Sequence, residues 1–169
     1  MGVERDWEVR EARQGDGESI GSFLHAIWDE AGPDAPGFAG ATSELIDELA
    51  RPDAVHSRLG GPTRRMMIAI RDDEVIGFAA TRSVSADEIE LAGIVVRRVW
   101  AGRGIGRELV REALDVSRRH GAVSMIVRTE VDNVAAIGFY ESLGFRRTRE
   151  DVEMVDDVSV AVVELSRRI

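Results

Sequence analysis

Apolar positions along this chain keep two rhythms. From Glu18 to Asp29, Ile20, Phe23, Leu24, Ile27 and Trp28 recur at spacings of three and four, which predicts an amphipathic helix. Leu45, Ile46 and Leu49 predict a second helix through Ala50, capped by Thr42 or Ser43. The clearest helical pattern runs from Ile105 to His120: Ile105, Leu109, Ala113 and Val116 share a face, Val110 and Leu114 flank it, and Gly121 follows as a stop. A short helix over Ala135 to Leu143 has Asn133 at its N-cap and Gly144 at its end. Elsewhere the period is that of strands: Trp7 to Ala12, Met66 to Ile70, Val75 to Ala80, Glu88 to Val96, Ser124 to Arg128, Arg146 to Val155 and Val158 to Ser166. The polar Asp72-Asp73-Glu74 turns the second of these into the third as a hairpin. Ala31 to Gly40, with two prolines and three glycines, reads as a loop beside Trp28, Asp29 and Glu30. The resulting order, β, α, α, β, β, β, α, β, α, β, β, predicts an α+β fold containing one βαβ unit, in one domain spanning residues 1–169.

Composition removes several chemistries. The 169 residues include no cysteine, which excludes disulfides, thiolate metal sites and an acyl-cysteine intermediate. All 22 basic residues are arginine, so neither a P-loop lysine nor a Schiff-base lysine exists. The formal net charge of −9 disfavours nucleic acid, whose binding rests on phosphate neutralisation, and suits a cationic small molecule or peptide. The charged stretch Met1 to Trp7 does not read as a signal peptide, and no window reaches the ~18 apolar residues a membrane span requires, so a cytoplasmic location is expected.

Candidate chemistry concentrates between the fourth strand and the strongest helix, in Val96-Arg97-Arg98-Val99-Trp100-Ala101-Gly102-Arg103-Gly104-Ile105-Gly106-Arg107. Glycines let the backbone approach a ligand, and the first helical turn offers unpaired N–H groups at its positive end. Arg103 and Arg107 add guanidinium forks suited to a diphosphate. A loop that only turns the chain, with solvated arginines, would use the same residues. A Rossmann fingerprint fits poorly, because the spacing is Gly102-x-Gly104-x-Gly106 and the loop does not follow the first strand.

This segment resembles the acetyl-CoA signature of the GCN5-related N-acetyltransferase (GNAT) superfamily, Gln/Arg-x-x-Gly-x-Gly/Ala, with Gly104-Ile105-Gly106 in the glycine slots. Ala101 stands where the signature has Gln or Arg, and Arg98 where proline is frequent; Arg103 or Arg97 are candidate substitutes for the missing charge. A second run, Asn133 through Ala135, Tyr140 and Gly144-Phe145, resembles the family's "N-x-x-A…F-Y-x-x-x-G-F" pattern, and the element order fits from Trp7 to Ser166. The resemblance implies a three-layer fold: a twisted mixed sheet of about seven strands, splayed between strands 4 and 5, with helices on both faces. It implies acetyl-CoA as acyl donor, with the backbone of Ile94, Val95 and Val96 pairing the pantetheine arm and Gly102, Arg103, Gly104, Ile105, Gly106 and Arg107 holding the diphosphate. Asn133 would contact the cofactor and Tyr140 would lie beside the thioester sulfur. Dimers are common among such proteins, so a homodimer is admitted.

Direct transfer to an amine requires a proton acceptor, a polarised carbonyl and an acid for the departing thiolate. Tyrosine, with a pKa near 10, suits a thiolate of pKa about 8.5, which makes Tyr140 the candidate acid. Glu90, eleven positions before Ala101, is the candidate base, with Glu88 on the same strand face or a water chain as alternatives. The reading is thus an N-acetyltransferase acting on a primary amine of a small molecule or peptide, cationic by the net charge. A non-catalytic acyl-CoA-binding module and an O-acyltransferase are its rivals. His25, His56 and His120 show no ligand spacing, so no metal is expected. Trp28 reads as core more readily than as acceptor pocket, Trp100 as a shield over the cofactor, and Glu150, Asp151, Glu153, Asp156 and Asp157 as a solvated hairpin.

Overall fold

A computed structural model describes residues 5–32, 41–59, 61–155 and 157–169. Seven strands form one sheet: β1 (Glu8–Glu11), β2 (Arg64–Arg71), β3 (Glu74–Ser83), β4 (Glu88–Val96), β5 (Ser124–Glu130), β6 (Arg146–Val155) and β7 (Val158–Arg168). Their spatial order is β1-β2-β3-β4-β5-β7-β6, and every pairing is antiparallel except β4 with β5. The helices are α1 (Gly17–Ala31), α2 (Ser43–Ala50), α3 (Pro52–His56), α4 (Ile105–Arg119) and α5 (Val134–Ser142). The mixed sheet with helices on both faces matches the expected architecture. Helix α3 and the 3₁₀ turns at Gln14–Asp16 and Arg98–Trp100 are additions to the element order expected from pattern alone.

Each face carries its own core. On one side α4 and α5 cover the sheet, with Leu109, Ala113 and Val116 of α4 fully buried against Met67, Ala79, Met125 and Leu165. On the other, Ile20, Phe23 and Ile27 of α1 join Ile46, Val55, Ile68 and Val75. Trp28 is partly buried and packs on this second core, as the periodicity predicts. Thr42 supplies the α2 cap, accepting from the Leu45 N–H at 3.3 Å. The predicted loop at 31–40 lies largely outside the described residues. Among those described, no helix is long and apolar enough to cross a membrane.

One irregularity decides how the site is built. Ala80 pairs with Gly93 but Thr81 pairs with Leu91, so Ala92 is an extra residue and β4 bulges there. Strict alternation would put Leu91 and Ile94 on opposite faces. The bulge restores Ile89, Leu91, Ile94 and Val96 to the α4 side, while Glu90 and Val95 face the α1 side.

Candidate active site

Strands β4 and β5 pair only from Glu88↔Ser124 to Glu90↔Ile126. Beyond Glu90, β4 keeps β3 on one side, through Ala79↔Ile94, Phe78↔Val95 and Gly77↔Val96, and has no β5 partner on the other. The backbone edge of Leu91 to Val96 is therefore open, and such an edge accepts an extended ligand as a further strand.

The glycine loop closes one end of this opening. Gly102 and Gly104 have φ of 75° and 83°, left-handed values that an L side chain adopts only at a cost. No atom lies within 4 Å of where a Cβ would stand on either residue, so the turn faces open space. Gly104 is the N-cap of α4 and has no side chain to accept from the first turn, leaving those N–H groups for an anion. At Gly106 a Cβ position would lie 3.5 Å from Phe139 and 3.8 Å from Ile94, so the loop, α5 and the open edge of β4 meet there.

The arginines around the loop divide by their partners. The Arg103 guanidinium lies 4.6 Å from the centre of the Trp100 ring, and Arg103 is exposed, so its charge is available. Arg107 donates to Ser142 at 3.0 Å, tying α4 to α5. Arg97, a candidate substitute for the missing Gln/Arg slot, is instead engaged elsewhere: its guanidinium pairs with Glu30 at 2.9 Å and with Glu74. Two carboxylates consume the charge that a diphosphate would need. Trp100 lies between Arg71 and Arg103 rather than forming a bare shield.

Helix α5 carries the second motif. Asn133 caps it, its side-chain oxygen accepting from the Ala136 N–H at 3.1 Å, which leaves the amide donors free for a ligand. Tyr140 lies seven positions on and is buried, with Phe139 and Phe145 edge-on at 5.3 and 5.9 Å. Burial pushes its phenol above the ordinary value, so it stays protonated at neutral pH. No described residue hydrogen-bonds its hydroxyl, and that oxygen is not among the buried atoms lacking a partner. The hydroxyl is thus open to an incoming group.

Glu90 is the last β4 residue paired with β5, and it is 6% exposed. Arg82 on β3 donates to it at 2.5 Å, and Arg128 on β5 approaches at 3.8 Å. Arg128 is also held by Glu164 on β7 at 3.1 Å, and Arg149 on β6 reaches the same carboxylate at 3.2 Å. Sequence reading missed this lattice, because its members come from five strands and no local spacing joins them. Glu88 lies two residues farther from the splay and accepts from Ser124 at 3.3 Å, so Glu90 is the better placed of the pair.

His25 approaches Asp47 at 3.6 Å, and His120 contacts Arg65 at 3.2 Å. Among the described residues, no three potential metal ligands converge. The acidic residues Glu150, Asp151, Glu153 and Asp157 lie exposed on the β6–β7 hairpin, and Asp156 is outside the described residues.

Residues 24–145 match the profile of the acetyltransferase (GNAT) family. Over 104 residues the chain is 37% identical to N-alpha-acetyltransferase RimI of Mycobacterium tuberculosis, covering 60% of this chain and 64% of that protein. Over 84 residues it is 42% identical to N-alpha-acetyltransferase 30 of Schizosaccharomyces pombe, covering 47% of this chain and 56% of the relative. The matches thus span about half to two thirds of these relatives' own length. The fold superposes on the acetyltransferase yncA of Salmonella typhimurium, solved with its cofactor acetyl-CoA, with a TM-score of 0.71 at 20% identity, covering 97% of this chain and 94% of the other. The family profile covers well over half of the sequence, including the open β4 edge, the left-handed glycine turn and the capped α5: this chain belongs to the GNAT acetyltransferase family.

Proposed function

We propose that the protein transfers the acetyl group of acetyl-CoA directly to a primary amine, both substrates being bound together. The observation that carries this reading is the edge of β4 from Leu91 to Val96, unpaired among the described residues, ending at the glycine turn and flanked by α5 with its Tyr140 hydroxyl, which no described residue hydrogen-bonds. The pantetheine arm lies along that edge, accepting and donating through the backbone of Ile94, Val95 and Val96. The diphosphate sits on Gly102 to Arg107, where Arg103 supplies the charge that Ala101 lacks, and Asn133 offers its amide donors to the arm.

The amine nitrogen attacks the thioester carbonyl carbon; a C–N bond forms, the C–S bond breaks, and the sulfur leaves with the bonding pair. Tyr140 gives its proton to that sulfur, producing the free thiol, and recovers a proton from solvent. The proton lost by the amine passes to Glu90. A carboxylate offers about four acceptor sites, so the two guanidinium contacts leave room for an ammonium or a bridging water. The absence of cysteine is consistent with this route, because no acetyl-cysteine can form.

The test is thiol release from acetyl-CoA across a broad amine library, together with calorimetric titration of CoA. Release that requires an amine supports the reading. CoA binding without release for any amine would make the protein an acyl-CoA-binding module, and preferential turnover of alcohols would make it an O-acyltransferase.

A further inference from the structure

We infer that the acceptor is an amine that also carries a carboxylate, an amino acid in its chemical class, held by an arginine pocket on the Glu90 side of the sheet. The inference rests on the acetyl-transfer reading and specifies its second substrate. Net charge predicts a cationic acceptor. The local charge has the opposite sign.

A cavity of about 260 Å³ opens on the α1 side of the sheet, between β2, β3, β4 and the chain just after α3. Its floor is Met66, Ala80 and Ala92, the last being the bulge residue two positions from Glu90. Its charged lining consists of Arg58, Arg64, Arg65 and Arg82, with no carboxylate among the described lining residues. Arg82 is engaged by Glu90, and Arg65 by Glu11 at 2.8 Å. Arg58 reaches only the Leu49 carbonyl, at 3.5 Å, and neither Arg58 nor Arg64 pairs with a carboxylate among the described residues.

Register sharpens the point. Arg64 on β2 stands directly opposite Arg82 on β3, and Arg82 directly opposite Glu90 on β4. Like charges directly opposite each other on adjacent strands destabilise a sheet unless something of the opposite sign lies between or beside them. Glu90 neutralises the inner arginine and leaves the outer one for a ligand. Guanidinium forks match a carboxylate in two parallel hydrogen bonds. An amino acid anchored by its carboxylate on Arg64 and Arg58 would direct its amine along this row toward Glu90, beside the splay. Selection would then come from an anion requirement at one end of the substrate and a proton acceptor at the other.

The experiment compares free amino acids, including ω-amino and dicarboxylic ones, with their carboxamides and with polyamines, in wild type, Arg64→Met and Arg58→Met. Free acids should show at least ~10-fold higher kcat/KM than the matching carboxamides, the range expected for a charge-assisted pair. Either substitution should remove that preference by raising the KM of the acids, leaving kcat and CoA affinity within ~2-fold. Equal use of carboxamides, preference for polyamines, or a preference that survives both substitutions would overturn the inference. Titration of the same acids into the CoA-saturated protein reads the pocket without turnover. Binding lost in Arg64→Met supports the pocket even if no acetyl transfer occurs, and absence of binding by every carboxylate-bearing amine overturns it.

Discussion

The two sides of the β4–β5 opening are built by different means. On the side proposed for the acyl donor, the groups presented are backbone: the free edge of β4, two left-handed glycines and the first turn of α4. On the side proposed for the acceptor they are side chains: Glu90, Arg82 and Arg128, with Arg58 and Arg64 around the adjoining cavity. A backbone site tolerates side-chain drift, because the donors belong to the fold. A side-chain site can be retuned one residue at a time without disturbing the sheet. One architecture can therefore keep a single acyl donor while its acceptors diversify, which is the sense in which fold leaves function open.

This contrast predicts where substitutions act. The largest effect should come from Gly104→Asp. Aspartate tolerates a left-handed backbone better than most L residues, so α4 should survive at a modest cost in strain, but its carboxylate would lie at the first-turn N–H groups and repel a diphosphate. Loss of about 3 kcal/mol of CoA affinity, or roughly 100-fold, is expected by calorimetry, with the far-ultraviolet spectrum unchanged. Near-native CoA affinity in a folded variant would move the diphosphate elsewhere.

Next is Tyr140→Phe, which keeps the packing against Phe139 and Phe145 and removes only the proton donor. Turnover should fall ~100-fold while CoA affinity holds, the magnitude usual for a lost general acid. Because burial raises the phenol's pKa, this role should persist at least to the pH where an ordinary tyrosine ionises. The sign for stability agrees: the buried neutral phenol contributes fully below the unfolded pKa, and its contribution is lost as pH rises through the higher folded one. Wild type should therefore lose more stability than Tyr140→Phe in strong alkali. An alkaline limb of activity well below that pH must belong to another group.

A smaller, side-specific change is expected from Glu90→Gln: roughly 10-fold lower kcat at neutral pH, with CoA binding intact. An unaltered kcat would reduce Glu90 to a strap for Arg82 and Arg128. The smallest effect lies outside the site. Asp16 accepts two bonds from Arg10 at 2.8 Å and one from the Arg13 N–H at 2.6 Å. The Arg10 hydrogen bonds hold its carboxyl below the ordinary value, so its contribution exists above the unfolded pKa and is lost as pH falls through the folded one. Asp16→Asn should cost ~1 kcal/mol at pH 7 in urea unfolding, with the two proteins converging in acid, and should leave catalysis untouched.

The same division explains what could be read from the chain. Gly102 to Arg107 and Asn133 to Tyr140 are contiguous, and turns and caps depend on neighbouring residues, so the glycine turn and the α5 cap were legible before any fold was known. The strand and helix order was legible from periodicity, apart from α3, whose five residues are too few to show a period. The Ala92 bulge was not, because one inserted residue leaves no mark in an apolar run such as Leu91 to Val96. Without it, the row Arg64–Arg82–Glu90 has no register. Arg97 misled for a related reason: its carboxylate partners, Glu30 and Glu74, come from 67 and 23 positions away. Net charge constrains the acceptor only loosely, because it sums a whole surface, whereas recognition depends on the few groups that line one cavity.

The central claim is direct transfer across the opening, and a single-turnover experiment with acetyl-labelled acetyl-CoA prebound to the protein tests it most directly. The label should stay on CoA until an amine is added, then appear on the amine at the same rate as free thiol is released, and never on the protein. A burst of free CoA before the amine, or label recovered on the chain, would contradict the account.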